Sequence, residues 1–159
     1  LLKKNIQLQL DAGVELVMVF DSSLHDLDKI NFHEIYSKIL EEIAISFPNK
    51  VGYYSRGKSF SELKSIISFP FAGIGYDHTI DLTSIFKNQK HGFIQGNFNE
   101  QLILNETDTF LNNLRDFVEK MKSIQNLKGW ICGLGHGINK NTPEKNVHLF
   151  IENIRKEFS

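Results

Sequence analysis

The chain has a single cysteine, Cys132, among its 159 residues. That excludes an internal disulfide and a multi-cysteine zinc site, and the expected setting is reducing and cytoplasmic. Charge of either sign is not in excess: 18 Lys and Arg stand against 19 Asp and Glu, a net of −1. No strong field draws the chain to nucleic acid or to a membrane surface. No apolar run reaches bilayer-spanning length. The opening residues, Leu1-Leu2-Lys3-Lys4, lack the long apolar core and cleavage site of a signal peptide. An initiator Met is also lacking, and the first residues read as the middle of a helix. The chain is therefore expected to be a portion of a longer protein.

What is present is ordinary for a globular domain: 41% hydrophobic and 23% charged residues, with 13 Phe. The length fits one domain, 1–159, large enough to bury a core. Residues 2–12 read as a helix ending at Gly13. Val14 to Phe20 is a short β-branched apolar run, a buried strand. Ile30 to Phe47 has helical spacing and stops at Pro48. Val51 to Tyr54 is a strand, and Ser59 to Ser68 a short helix capped by Ser59 or Ser61. Ala72 to Tyr76 is a strand, and Asp81 caps a helix to Asn88. Gly92 to Ile94 is a strand. Glu106 or Thr107 opens a long amphipathic helix to about Ile124.

The last unit is the most distinctive. Trp130-Ile131-Cys132 is a strand that breaks into Gly133-Leu134-Gly135-His136-Gly137, a histidine held between glycines. Thr142-Pro143-Glu144 then reads as a helix start, with Thr142 as N-cap, Pro143 at the first helical position and Glu144 in the first turn, running to Phe158. Strand and helix alternate five times, the pattern of parallel βα units. Periodicity alone fits either part of a (β/α)₈ barrel or an open doubly wound sheet.

In both architectures the carboxyl ends of the strands line the site. The residues there are Asp21 and Ser22, Ser55 and Arg56, Asp77 and His78, Gln95 and Asn97, and His136. Each alone fits a turn or capping role; together they point to a site. A serine hydrolase would need G-x-S-x-G, which is missing. No phosphate loop occurs, and Gly133 to Gly137 does not meet the dinucleotide fingerprint. Zinc held by His25, His78 and His136 is weighed as an alternative, without any H-x-H spacing in its favour. His33, His91 and His148 read as surface residues, and Cys132 as core.

Five of these stretches, in order, resemble the C-terminal part of the uroporphyrinogen decarboxylase family. They include Val19-Phe20-Asp21-Ser22, Ile74-Gly75-Tyr76-Asp77 and Ile94-Gln95-Gly96-Asn97. The most specific is Leu134-Gly135-His136-Gly137-Ile138 with Thr142-Pro143-Glu144 and Asn146-Val147. The resemblance implies an α/β fold, the C-terminal part of a (β/α)₈ TIM barrel with about five βα units. It implies a cofactor-independent carboxy-lyase of porphyrin and haem biosynthesis that removes the acetate carboxyls of uroporphyrinogen III as CO₂. Ser22 and His136 match family residues that contact the tetrapyrrole substrate, with His136 catalytic, and Arg56 stands near a family lysine. No metal or other cofactor is implied.

The chain also departs from the family pattern. Ser23-Leu24-His25 follows Ser22, His78 replaces a tryptophan, and Asn99-Glu100 replaces an aspartate-proline pair. These changes point to a divergent member. A non-catalytic or altered-substrate binding module and a metal-dependent methyltransferase-like member stay open beside the decarboxylase. Five strands would leave two open edges, so the chain is expected to pair as a homodimer.

Overall fold

The computed structural model describes residues 1–22 and 35–159. Helix α1 (Leu2–Asp11) leads into strand β1 (Val17–Asp21), and α2 (Ser37–Ser46) leads into β2 (Val51–Ser55). Next come α3 (Phe60–Leu63), a 3₁₀ turn (Ile66–Ser68), β3 (Gly73–Gly75), α4 (Leu82–Asn88) and β4 (Phe93–Gln95). A second 3₁₀ turn (Glu100–Leu104), α5 (Thr107–Lys122), β5 (Trp130–Ile131) and α6 (Glu144–Phe158) complete the chain. The five strands pair in sequence order, every pair parallel.

Strand alternation divides the sheet into two unlike faces. Val19, Tyr53, Ile74, Ile94 and Trp130 lie in one register row and pack among helix residues that include Ile6, Leu40, Leu63, Leu82 and Met121. The other face carries the rows Met18, Gly52, Gly73, Phe93 and Phe20, Tyr54, Gly75, Gln95, Ile131. There large side chains lie over glycines: a Cβ on Gly73 would sit 2.2 Å from the Phe93 ring, and one on Gly52 2.2 Å from Met18 Sδ. A doubly wound sheet is covered by helices on both faces. Here the helices share one face, and on the other Phe20 keeps 64% and Ile131 46% of its surface exposed. The fold is five βα units of a (β/α)₈ TIM barrel, with the glycine-floored face as the barrel interior.

Several element bounds differ from the sequence reading. The stretch 59–68 is not one helix. Ser59 and Glu62 form a capping box for α3, and then Phe69 N–H bonds Ile66 O and tightens the chain into a 3₁₀ turn. Thr142 does not cap the last helix. Pro143 takes the extended N-cap position, and its carbonyl accepts from Asn146 and Val147 N–H. The Thr142 hydroxyl is buried without a partner among the described residues. The turn at 100–104, with Asn99 Oδ1 accepting from Gln101 N–H at 2.9 Å, was not anticipated. The first part of the helix expected from Ile30 lies outside the described residues, and α2 begins at Ser37.

A second apolar cluster joins α5 and α6 around Phe98, Ile103, Phe110, Leu114 and Phe150. It is pinned by Asn146, whose side chain is 1% exposed. Asn146 Nδ2 donates to the Ile103 and Asn105 carbonyls, both at 2.9 Å, and Oδ1 accepts from Thr107 Oγ1 at 3.1 Å. Buried carbonyls stripped of a donor bear the full desolvation cost. Asn146→Ala is expected to lower unfolding free energy by about 2–4 kcal/mol, read as a fall in the urea midpoint at unchanged slope.

Candidate functional site

Parallel pairing puts the carboxyl ends of all five strands at one edge, and the residues there take two kinds of role. One group holds loops. Asp77 is 4% exposed, and its Oδ2 accepts from Gly57 N–H at 2.5 Å. Asp77 Oδ1 accepts from Thr79 N–H at 2.9 Å and Thr79 Oγ1 at 2.5 Å. Asn97 Nδ2 donates to Asp77 O at 2.8 Å and Ile80 O at 2.6 Å. Gly96, at φ +124°, lets the chain pass where a Cβ would meet Tyr76 O at 2.5 Å. Asp21 accepts from the Tyr36 hydroxyl, and its carbonyl accepts from Arg56 N–H at 3.3 Å.

The other group lines a cavity of about 400 Å³ on the interior face: Phe20, Ser22, Tyr54, Tyr76, Gln95 and His136, with glycines 75, 135 and 137 and Leu134. Its walls are aromatic and small. Burial first, then Asp77, pushes the Tyr54 hydroxyl up to about 12. Burial also raises Tyr76, whose hydroxyl donates to Gln89 Oε1 at 2.7 Å.

His136 is set by its neighbours. Gly137 N–H donates to Nδ1 at 2.6 Å, so Nδ1 is the ring's acceptor and Nε2 carries the hydrogen. Nε2 is buried and has no hydrogen-bond partner among the described residues. Buried polar groups are normally paired, so an unmatched donor at a cavity wall is suited to a ligand acceptor.

Of the three expected binding residues, the structure brings Ser22 and His136 to one cavity. Arg56 is exposed and is not among the lining residues. Its charge is felt at Tyr54, where it opposes the upward shift. His25 lies outside the described residues, and His78 is not among the lining residues. Among the described residues no group of three or more His, Cys, Asp or Glu is placed to hold a metal. Tyr54 was missed by the sequence reading. Its strand is buried on both faces and reads as a continuous apolar run, which hides the side facing the cavity.

Comparison with known proteins bears on this arrangement. A model of the uroporphyrinogen decarboxylase (URO-D) family matches residues 1–157. The chain belongs to the uroporphyrinogen decarboxylase family. It is 29% identical over 160 residues to the uroporphyrinogen decarboxylase of Orientia tsutsugamushi (strain Ikeda), covering 98% of this chain and 46% of that protein. The Nautilia profundicola uroporphyrinogen decarboxylase is 31% identical over 157 residues, 95% of this chain and 44% of the relative. The chloroplastic enzyme of Nicotiana tabacum is 27% identical, with 94% and 38% covered. The chain thus spans under half the length of these curated relatives.

Two departures from the uroporphyrinogen decarboxylase pattern meet in space. His78 Nδ1 stands 3.3 Å from Glu100 Oε2, on a carboxylate that is itself buried. His91 and His148 are exposed, as expected, and His33 lies outside the described residues. No helix among the described residues is long and apolar enough to cross a membrane.

Cys132 is half-buried beside the second cluster, and burial pushes its thiol up to about 12. The reactive thiolate is then about one part in ten thousand at pH 8, by the tenfold-per-unit rule. Cys132 should resist iodoacetamide at pH 8, with a rate that climbs with pH through 10. Rapid labelling of native protein at pH 8, followed by mass spectrometry, would contradict this.

Proposed function

We propose that this chain forms one wall of a uroporphyrinogen decarboxylase active site. The whole protein would remove the four acetate carboxyls of uroporphyrinogen III as CO₂, giving coproporphyrinogen III in porphyrin and haem biosynthesis. The observation that carries the reading is His136, which lines the cavity and whose buried Nε2 bonds no described residue. A substrate carboxylate would satisfy it, and a hydrogen bond to a charged acceptor is about twice as strong as a neutral one. Ser22 would add a hydroxyl to the same substrate. Arg56 would contribute positive charge at longer range rather than a contact.

The reaction asks little else of the protein. The pyrrole takes up the electrons left when CO₂ departs, so a cofactor-independent carboxy-lyase needs only to hold the polyanion and manage protons. The aromatic side chains of Phe20 and Tyr54 on the cavity wall suit the apolar body of a tetrapyrrole. On this reading residues 1–159 act as one domain in a cytoplasmic enzyme. By themselves they turn over little or no substrate, since other parts of the barrel complete the site. The pairing of His78 with Glu100 favours a second reading, a divergent member that binds a different small anion or tetrapyrrole.

In the full-length protein, His136→Ala should lower kcat/KM for uroporphyrinogen III about 10- to 100-fold, and Ser22→Ala less, by the worth of one charge-assisted hydrogen bond. Unchanged kinetics in His136→Ala would remove that residue from the site. Absence of coproporphyrinogen from well-folded wild-type protein would favour the second reading. For residues 1–159 alone, the exposed Phe20 and Ile131, and the outer edges of β1 and β5, which pair with no other described strand, support association as a homodimer. Light scattering should give twice the protomer mass at micromolar concentration; a monomer across that range would refute it.

A further inference from the structure

Tyr54 lines the cavity but commits its hydroxyl to the loop that carries His136. The hydroxyl donates to the Gly135 carbonyl at 2.7 Å, a buried bond between residues 81 apart in the chain. Gly135 is confined from other sides as well. Its N–H donates to Phe98 O at 2.7 Å, and a Cβ on it would lie 2.5 Å from His78 N. The Tyr54 ring then meets the imidazole edge-on, with centroids 6.3 Å apart and planes at 82°. Gly137 N–H donates to Nδ1 at 2.6 Å.

We infer that Tyr54 is a positioning residue for His136: its bond to Gly135 sets the loop so that Gly137 N–H meets Nδ1 and the imidazole hydrogen stays on Nε2. Without that bond the Gly135 carbonyl loses its side-chain anchor, and the loop, with glycines on both sides of His136, is held at Gly135 only through the Phe98 bond and the packing on His78. The upward shift of Tyr54 keeps its hydroxyl a donor throughout the physiological range. A tyrosine that only filled space would be replaceable by phenylalanine at no cost to His136. The inference deepens the proposed function, because Nε2–H is the group offered there to the substrate carboxylate, but the tautomer can be read without any substrate.

The test is long-range ¹H–¹⁵N spectroscopy of the imidazole side chains in the full-length protein, with His136→Gln to assign the signal. Wild type is expected to show His136 in one tautomer, with a protonated Nε2 and a bare Nδ1. Tyr54→Phe keeps the buried ring and should show a mixture of tautomers and faster exchange of the Gly137 amide. Tyr76→Phe breaks a comparable buried bond, to Gln89, and should leave both signals unchanged. A mixed tautomer already in wild type overturns the inference, and that measurement needs no variant to fold. A single Nε2–H tautomer retained in Tyr54→Phe also overturns it.

Binding of uroporphyrin III, followed by fluorescence, separates this inference from the functional reading. Tyr54→Phe should weaken binding about tenfold, the scale of one misplaced charge-assisted bond. If wild type binds no uroporphyrin while the tautomer results hold, the functional reading fails and Tyr54 keeps its role toward His136.

Discussion

Parallel strands cannot be joined by a tight turn, so each connection must cross back along the sheet to start the next strand. In this chain every crossing packs helices on one face, through Ile6, Leu40, Leu63, Leu82 and Met121, and the other face is left to the barrel interior. That constraint governs the rest. It gathers the carboxyl ends of five strands at one edge. It also makes each strand serve two environments, an apolar helix layer on one side and a narrow interior on the other. The interior accepts Met18 and Phe93 only because Gly52 and Gly73 lie beneath them.

At the carboxyl edge, polar residues are mostly occupied with one another. Asp77 ties the loop after β3 to the loop after β2 through Gly57, and Asn97 ties the loop after β4 to both Asp77 and Ile80. Tyr54 ties β2 to the loop after β5. Three successive loops are thereby braced against their neighbours by buried bonds, which is how a site on loops acquires the rigidity of the sheet below it. Against that background His136 stands out: its Nδ1 is engaged and its Nε2 is not. A buried imidazole nitrogen left unmatched on a residue that lines the cavity is a place for a ligand.

Much of this was legible in the chain. The alternation of short apolar runs with amphipathic segments named parallel βα units, and Gly135-His136-Gly137 marked the loop after the last strand. Other features were hidden for physical reasons. Asp77 and Asn97 belong to the motifs that carry the family resemblance, yet which strand-end residues bind neighbouring loops and which line the cavity depends on contacts 17 to 20 residues apart. Tyr54 looked like any residue of a buried strand, because a strand covered on both faces has no alternation to show which side is inward. Thr142 looked like a helix cap, but Pro143 is already extended at its fixed φ and takes the position itself.

The sequence by itself determined the element order and the family, because hydrophobic period and strand-end motifs are local properties of the chain. It also determined that His136 would sit on a flexible glycine loop. Only the tertiary structure decided that the loop is not free, since the Tyr54 hydroxyl and the Phe98 carbonyl that hold it come from other strands and their loops. The same is true of the partnership between Ser22 and His136. They are 114 positions apart, and only the closing curve of a parallel sheet brings the ends of its first and last strands around one cavity.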